Sequence, residues 1–219
     1  MAATEEQPPS TARGRGTKVL KQERAVRTYG QLLQAAADLF AKTGFVNVTL
    51  ADIAEHAGVT KGALYFHFMN KEAIAVAVMD EYYVRLAAVA DDVGRASLSP
   101  LDAAAELIMR TTAVLRRDTV FQSAVRLQKE LFLFDNQLPT PFVSFIDAVG
   151  ELLAEGRRRG QLPEESDPMA LARVLVAAFY GAQHISWVLT GRADVVERVR
   201  EVIDAIVPGR SSGPPGMPT

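Results

Sequence analysis

The chain has 219 residues, 48% of them hydrophobic and 23% charged, a composition that suits one globular core or two modest ones. It has no cysteine, which excludes a disulfide framework, a thiolate metal site and a cysteine nucleophile. Its formal net charge of −2 hides an asymmetry: residues 11–71 hold nine Lys or Arg against four acids, so a basic head precedes an acidic body.

Residues 1–17, MAATEEQPPSTARGRGT, and 208–219, PGRSSGPPGMPT, are rich in Pro, Gly and Ser and lack periodic apolar residues. Both read as disordered tails, and the first twenty residues offer no apolar stretch for a signal peptide. Between them the periodicity is helical, without internal repeat or sustained strand alternation. A first helix over 22–43 sets Val26, Leu33, Ala36, Ala37 and Phe40 on one stripe and ends at Gly44. A second, 50–57, follows Thr49 as N-cap, with Asp52 three residues on completing a box-like start. A third, 60–67, is short, and a fourth begins near Asn70.

Later helices start where Ser99-Pro100 and Asp167-Pro168 pair a capping side chain with a proline at the first helical position. They are expected at 100–117, 119–134, 141–160, 168–190 and 193–207. The apolar segment 169–189 has the length of a membrane span, but Arg173, Gln183 and His184 within it favour a buried helix.

The second and third helices are separated by AGVT, with Gly58 free to take the left-handed turn. Two short helices joined so tightly cross steeply, as in a helix-turn-helix, and the second can then enter a major groove. Along GVTKGALYFHFMNKE, Leu64 and Phe68 share the core side of the third helix, while Gly62, Tyr65 and Phe66 fall opposite. Exposed aromatics beside Lys61, His67 and Lys71 suit phosphate, sugar and base-edge contacts. Arg24 and Arg27, early in the first helix, are placed to reach neighbouring phosphates or a minor groove.

The run LADIAEHAGVTKGALYFHFMNKEAI, with QLLQAAADLFAKTGF before it, resembles the DNA-binding domain of the tetracycline-repressor (TetR) family over about residues 22–75. The form TKGALYFHF is similar to the γ-butyrolactone-type autoregulator receptors, and RLQKELFLFDNQLPTPF and AAFYGAQHISWVL to a subgroup that senses furan-type signals. The resemblance implies DNA contacts at Thr49, Thr60, Lys61, Gly62, Ala63, Tyr65, Phe66, His67 and Lys71. It also implies a homodimer that is released from a double-stranded operator by a small-molecule effector, the last two helices forming the dimer interface.

In the body, Tyr83, Gln128, Phe142, Phe145, Phe179, Gln183 and Trp187 form a mostly apolar set with a few polar groups, as an effector pocket requires. The resemblance points to Tyr83 and Gln128 as the orienting pair and puts Phe142 where the furan-sensing subgroup carries tyrosine. His184 reads as a hydrogen-bonded core residue, since no metal-ligating residue follows it at helical spacing. The chain has no P-loop, GxGxxG or HExxH, and His56, His67 and His184 are scattered, so neither enzyme chemistry nor a metal or cofactor is expected. The expectation is an all-α, cytoplasmic protein without membrane contact. Its helix-turn-helix domain would span 18–75 and its larger helical ligand-binding and dimerisation domain 76–207.

Overall fold

The computed structural model describes residues 12–130, 140 and 142–207, with side chains from Lys21 onward. Among these residues there are nine helices and no strand: α1 (Ala12–Thr43), α2 (Leu50–His56), α3 (Lys61–His67), α4 (Lys71–Gly94), α5 (Pro100–Arg117), α6 (Thr119–Lys129), α7 (Val143–Arg158), α8 (Pro168–Thr190) and α9 (Val195–Ile206). No described helix is long and apolar enough to cross a membrane.

Local chemistry sets most of these boundaries. The Thr49 hydroxyl accepts the Asp52 N–H while the Asp52 carboxylate accepts the Thr49 N–H, so two orphan donors at the start of α2 are met at once. Thr60, Asn70, Ser99 and Asp167 cap α3, α4, α5 and α8 one way only, their side-chain oxygens accepting first-turn N–H groups, and prolines open α5 and α8. Gly58 takes φ +65 between α2 and α3, and Gly44 takes φ +82 after α1.

Two expectations about α1 need correction. It begins at Ala12, so residues 12–17, assigned to the N-terminal tail, are helical. No proline follows Pro9 until Pro100, and the Ala, Arg, Lys and Leu content outweighs Gly14 and Gly16. Val26 is 67% exposed and lies off the stripe, because α1 reaches beyond the helices it packs on; the buried stripe starts at Leu32. The remaining expected N-terminal tail, the C-terminal tail and the end of the expected 119–134 helix lie outside the described residues.

α1 packs against α2, α3, α4 and α6, and its Asp38 meets both His56 of α2 and Thr119 of α6. In the body, α5 sits centrally against α4, α6, α7 and α9, while α8 lies between α7 and α9. One continuous apolar core links both units, from Phe40 and Leu64 through Ile74 and Met79 to Phe121, Phe179 and Ile203. The expected domain boundary at 75/76 falls within the unbroken helix α4, so no linker separates head from body.

Candidate DNA interface and effector site

The head divides its aromatic run in two. Leu64 (1% exposed) and Phe68 (5%) enter the core, while Tyr65 (57%) and Phe66 (76%) stand in solvent. Gly62 and Lys61 are exposed on the same short helix and Ala63 is half-buried. A Cβ at Gly62 would meet nothing nearer than Thr60 Oγ1 at 4.0 Å, so internal packing does not demand glycine there; close approach by another surface would. Arg24 and Arg27 are exposed on α1. His67 is half-buried, its ring edge-on to Tyr29 (6.0 Å) and Phe66 (5.1 Å).

Three of the expected DNA contacts have internal duties. Thr49 donates its hydroxyl to Asp52 Oδ2 at 2.7 Å, and Thr60 accepts the Ala63 N–H at 3.2 Å. Lys71 turns inward: its ammonium donates to the Phe45 carbonyl at 2.7 Å and lies 4.2 Å from the Phe45 ring centroid. The reason is positional, since α4 starts beneath the loop after α1 and brings the lysine onto a carbonyl there. Sequence reasoning missed Met69, 85% exposed just after α3, and Tyr29, which stacks on Phe68 at 5.2 Å. Met69 stands within the quoted run; Tyr29 had no local signal.

The same loop is held from the other side. Glu130, just past α6, accepts the Phe45 N–H at 3.0 Å, and Arg126 donates to the Lys42 carbonyl at 3.1 Å. The Phe45 peptide is thus gripped by α4 at its oxygen and, through Glu130, from the α6 side at its nitrogen. At the start of α6, Thr119 donates to Asp38 Oδ1 at 2.6 Å and accepts from Gln34 at 2.8 Å.

In the body, aromatic rings from α4, α6, α7 and α8 converge. Tyr82 meets Tyr83 at 5.1 Å and Phe121 at 5.0 Å; Tyr180 meets Phe142 at 4.6 Å and Phe179 at 5.2 Å; Phe145 meets Phe179 at 5.7 Å. The Tyr82 and Tyr180 hydroxyls lie 3.4 Å apart. Burial pushes the Tyr82 hydroxyl above the usual phenol range and that of Tyr180 well above it, so both stay neutral hydroxyls. Phe142 holds its place at φ 69, a left-handed conformation that a bulky residue adopts only under constraint.

Within this region the Tyr83 hydroxyl and the Oε1 atoms of Gln128 and Gln183 are buried without a hydrogen bond of normal length, the Gln128 carboxamide lying just close enough to the Tyr83 hydroxyl to offset part of the rise that burial gives its pKa. Leaving such an atom unmet costs about 1–3 kcal/mol, so the three are the polar groups of this region with hydrogen-bonding capacity to spare. The expected residues Tyr83, Gln128, Phe142, Phe145, Phe179 and Gln183 all fall in these two groups. Tyr82, Phe121 and Tyr180 join them; Tyr180, three residues before Gln183, was within reach of helical spacing.

Trp187 and His184 fall elsewhere. The ring neighbours of Trp187 are His184 at 5.9 Å and the cations of Arg126, Lys129 and Arg192 at 5.7, 5.7 and 5.2 Å. His184 is exposed, with Nδ1 2.6 Å from the Lys129 ammonium, and is no core residue. Its helix is not buried all round: Val174, Ala177, Gly181, Ile185 and Val188 recur at helical spacing on an uncovered face.

The family profile for bacterial regulatory proteins of the tetR family matches residues 32–78. The A-factor receptor protein of Streptomyces griseus is 36% identical over 188 residues, 86% of this chain, and the match spans 65% of that relative's length. A solved structure described as a molecular basis for control of antibiotic production by bacterial hormones superimposes with a TM-score of 0.76 at 40% identity. It covers 83% of this chain and 96% of its own. A crystal structure of a γ-butyrolactone receptor aligns with a TM-score of 0.68 at 27% identity, over 84% of this chain and 97% of its own.

Proposed function

Because the chain belongs to the tetR family of bacterial regulatory proteins, we propose that it is a repressor which binds a palindromic operator as a dimer and leaves it on binding a small signalling molecule. The observation that carries this reading is the divided helix α3, with Leu64 in the core and Tyr65 and Phe66 in solvent on a basic head. No intramolecular packing accounts for two exposed rings beside Lys61; a major groove does, the rings lying on sugar or a thymine methyl and the ammonium reaching a phosphate or guanine.

The effector class follows from the body. The group contains aromatic rings, the Tyr83 phenol and two carboxamides, and none of these carries charge, which disfavours a cationic drug. A γ-butyrolactone, butenolide or furan with one or two polar substituents matches that pattern, in keeping with the receptors named above. Tyr83 and Gln128 would orient its polar end, with Gln183 available for a further hydrogen bond.

Dimerisation is supported by the uncovered apolar face of α8, whose small residues Ala177 and Gly181 would let a second helix approach closely. Two recognition helices then fit successive major grooves only when about 34–36 Å apart. The effector site touches α4 through Tyr82 and Tyr83 and α6 through Phe121 and Gln128, and these helices end on the Phe45 peptide. A ligand that shifts either helix therefore tilts the heads. Moving the population from 1:99 to 99:1 takes roughly 5.5 kcal/mol of differential affinity.

A gel shift on an operator selected from randomised duplexes, with and without a butenolide or furan signal, tests the scheme. Retarded DNA should be released as ligand saturates. An unchanged shift at saturating ligand would refute release, and absence of any shift would refute the DNA reading.

A further inference from the structure

The surroundings of Trp187 present a second site. Arg126 and Lys129 lie three residues apart on α6, and Arg192 approaches from the turn after α8; all three cations stand within 6 Å of one indole. Of these, Arg126 has a carboxylate neighbour, Glu130 at 3.6 Å, and that carboxylate already accepts the Phe45 N–H. Among the described residues Lys129 and Arg192 have no acid partner; the Lys129 ammonium meets the ring nitrogen of His184. Burial and then the charges of Arg192 and Arg126 hold the Lys129 ammonium below the usual lysine range, and burial lowers Arg192.

Arg192 is also conformationally constrained. It sits at φ 75, and its N–H donates to the Ser186 carbonyl at 3.1 Å, which fixes the turn that aims its side chain at the ring. A non-glycine residue in the left-handed region costs free energy, and such strain gathers where a side chain must point a particular way. Arg126 and Arg192 are half-buried and Lys129 is exposed; three cations gathered on one ring with a single carboxylate nearby repel each other, and an anion among them reduces that cost.

We propose that Arg126, Lys129 and Arg192 around Trp187 bind an organic carboxylate, its oxygens among the cations and its apolar part against the indole. Guanidinium forks match a carboxylate in a bidentate manner, and the indole supplies the adjoining apolar surface. This site is separate from the Tyr83–Gln128 group, whose described lining is uncharged. It also reaches the head: Arg126 is the residue that donates to the Ala41 and Lys42 carbonyls at the end of α1, so an anion that draws its guanidinium away loosens that contact. The effect on operator binding rests on the repressor reading above; carboxylate binding itself does not.

Trp187 is the sole tryptophan of the chain, so its fluorescence reports on this site directly. Full-length protein is titrated with sodium hexanoate, with sodium chloride at equal ionic strength as reference and inorganic phosphate as a bare oxyanion. Hexanoate should give a saturable emission change that chloride does not. Lys129→Gln and Arg192→Gln should each weaken it about ten-fold, as expected for one charge-assisted contact. Arg116→Gln, exposed at the end of α5, should titrate like the native protein, and phosphate should bind more weakly than hexanoate. A response reproduced by chloride, variants at Lys129 and Arg192 that titrate like the native chain, or phosphate binding as tightly as hexanoate would each overturn the proposal. No DNA enters this experiment, so its failure would leave the repressor reading intact.

Discussion

Neighbouring residues on α3 have opposite duties, and single substitutions should separate them. Leu64→Ala removes a side chain that is 1% exposed and should cost about 2–5 kcal/mol of stability in chemical denaturation. Phe66→Ala should leave stability within about 0.5 kcal/mol yet weaken operator binding in the gel shift, since its ring touches mainly solvent. Acid titration singles out Asp194. It accepts hydrogen bonds from Ser186, Thr190 and Arg198, which lower its pKa from 3.8 to about 2. Between those values the unfolded chain binds more protons, so this stabilisation is complete above pH 4 and fades as pH falls toward 2. Asp194→Asn should therefore flatten the fall in melting temperature across that window. Residue duties were legible in the sequence where partners are near: Thr49 finds Asp52 three positions on, and Leu64 and Phe68 share a face by helical spacing. The inward turn of Lys71 was not, because Phe45 lies 26 positions away and only packing brings them together.

Among the elements, α6 joins the most functions. Phe121 and Gln128 lie with the proposed effector site, Thr119 bonds to α1, and Arg126 and Glu130 hold the loop that leads to α2. Glu130→Ala should keep effector affinity, measured by calorimetry, while the ratio of operator affinities with and without effector falls several-fold toward one. Gly44→Ala tests the same junction sterically. Its φ of +82 disfavours any Cβ, and the new atom would stand 2.7 Å from the Arg126 guanidinium, so a loss above about 1 kcal/mol is expected in thermal unfolding. Capping pairs announced most helix starts; the start of α1 at Ala12 was hidden by two glycines that resemble linker composition. Trp187 and His184 were placed with the apolar positions of α8 because periodicity describes one helix at a time, whereas their neighbours come from α6 and the turn after α8.

At the scale of the molecule, the uncovered stripe on α8 and the basic head imply a two-fold assembly on a polyanion. Val188→Glu should sediment as a monomer with unchanged circular dichroism and should lose operator binding, since a single recognition helix forfeits the second half-site. Operator affinity of the native chain should fall linearly with log salt, at about −0.9 per phosphate neutralised. The all-helical class and the divided α3 were readable from spacing alone; the junction between head and body was not, being made of contacts distant in sequence.

That junction also bears on engineering. A head grafted from this chain onto another regulator would carry Lys71 with it but leave behind the Glu130 carboxylate that accepts the Phe45 N–H, unless the recipient supplied a carboxylate at that place. Hybrid sensors built by cutting within α4 should therefore bind DNA yet ignore their inducer until that carboxylate is transplanted along with the head.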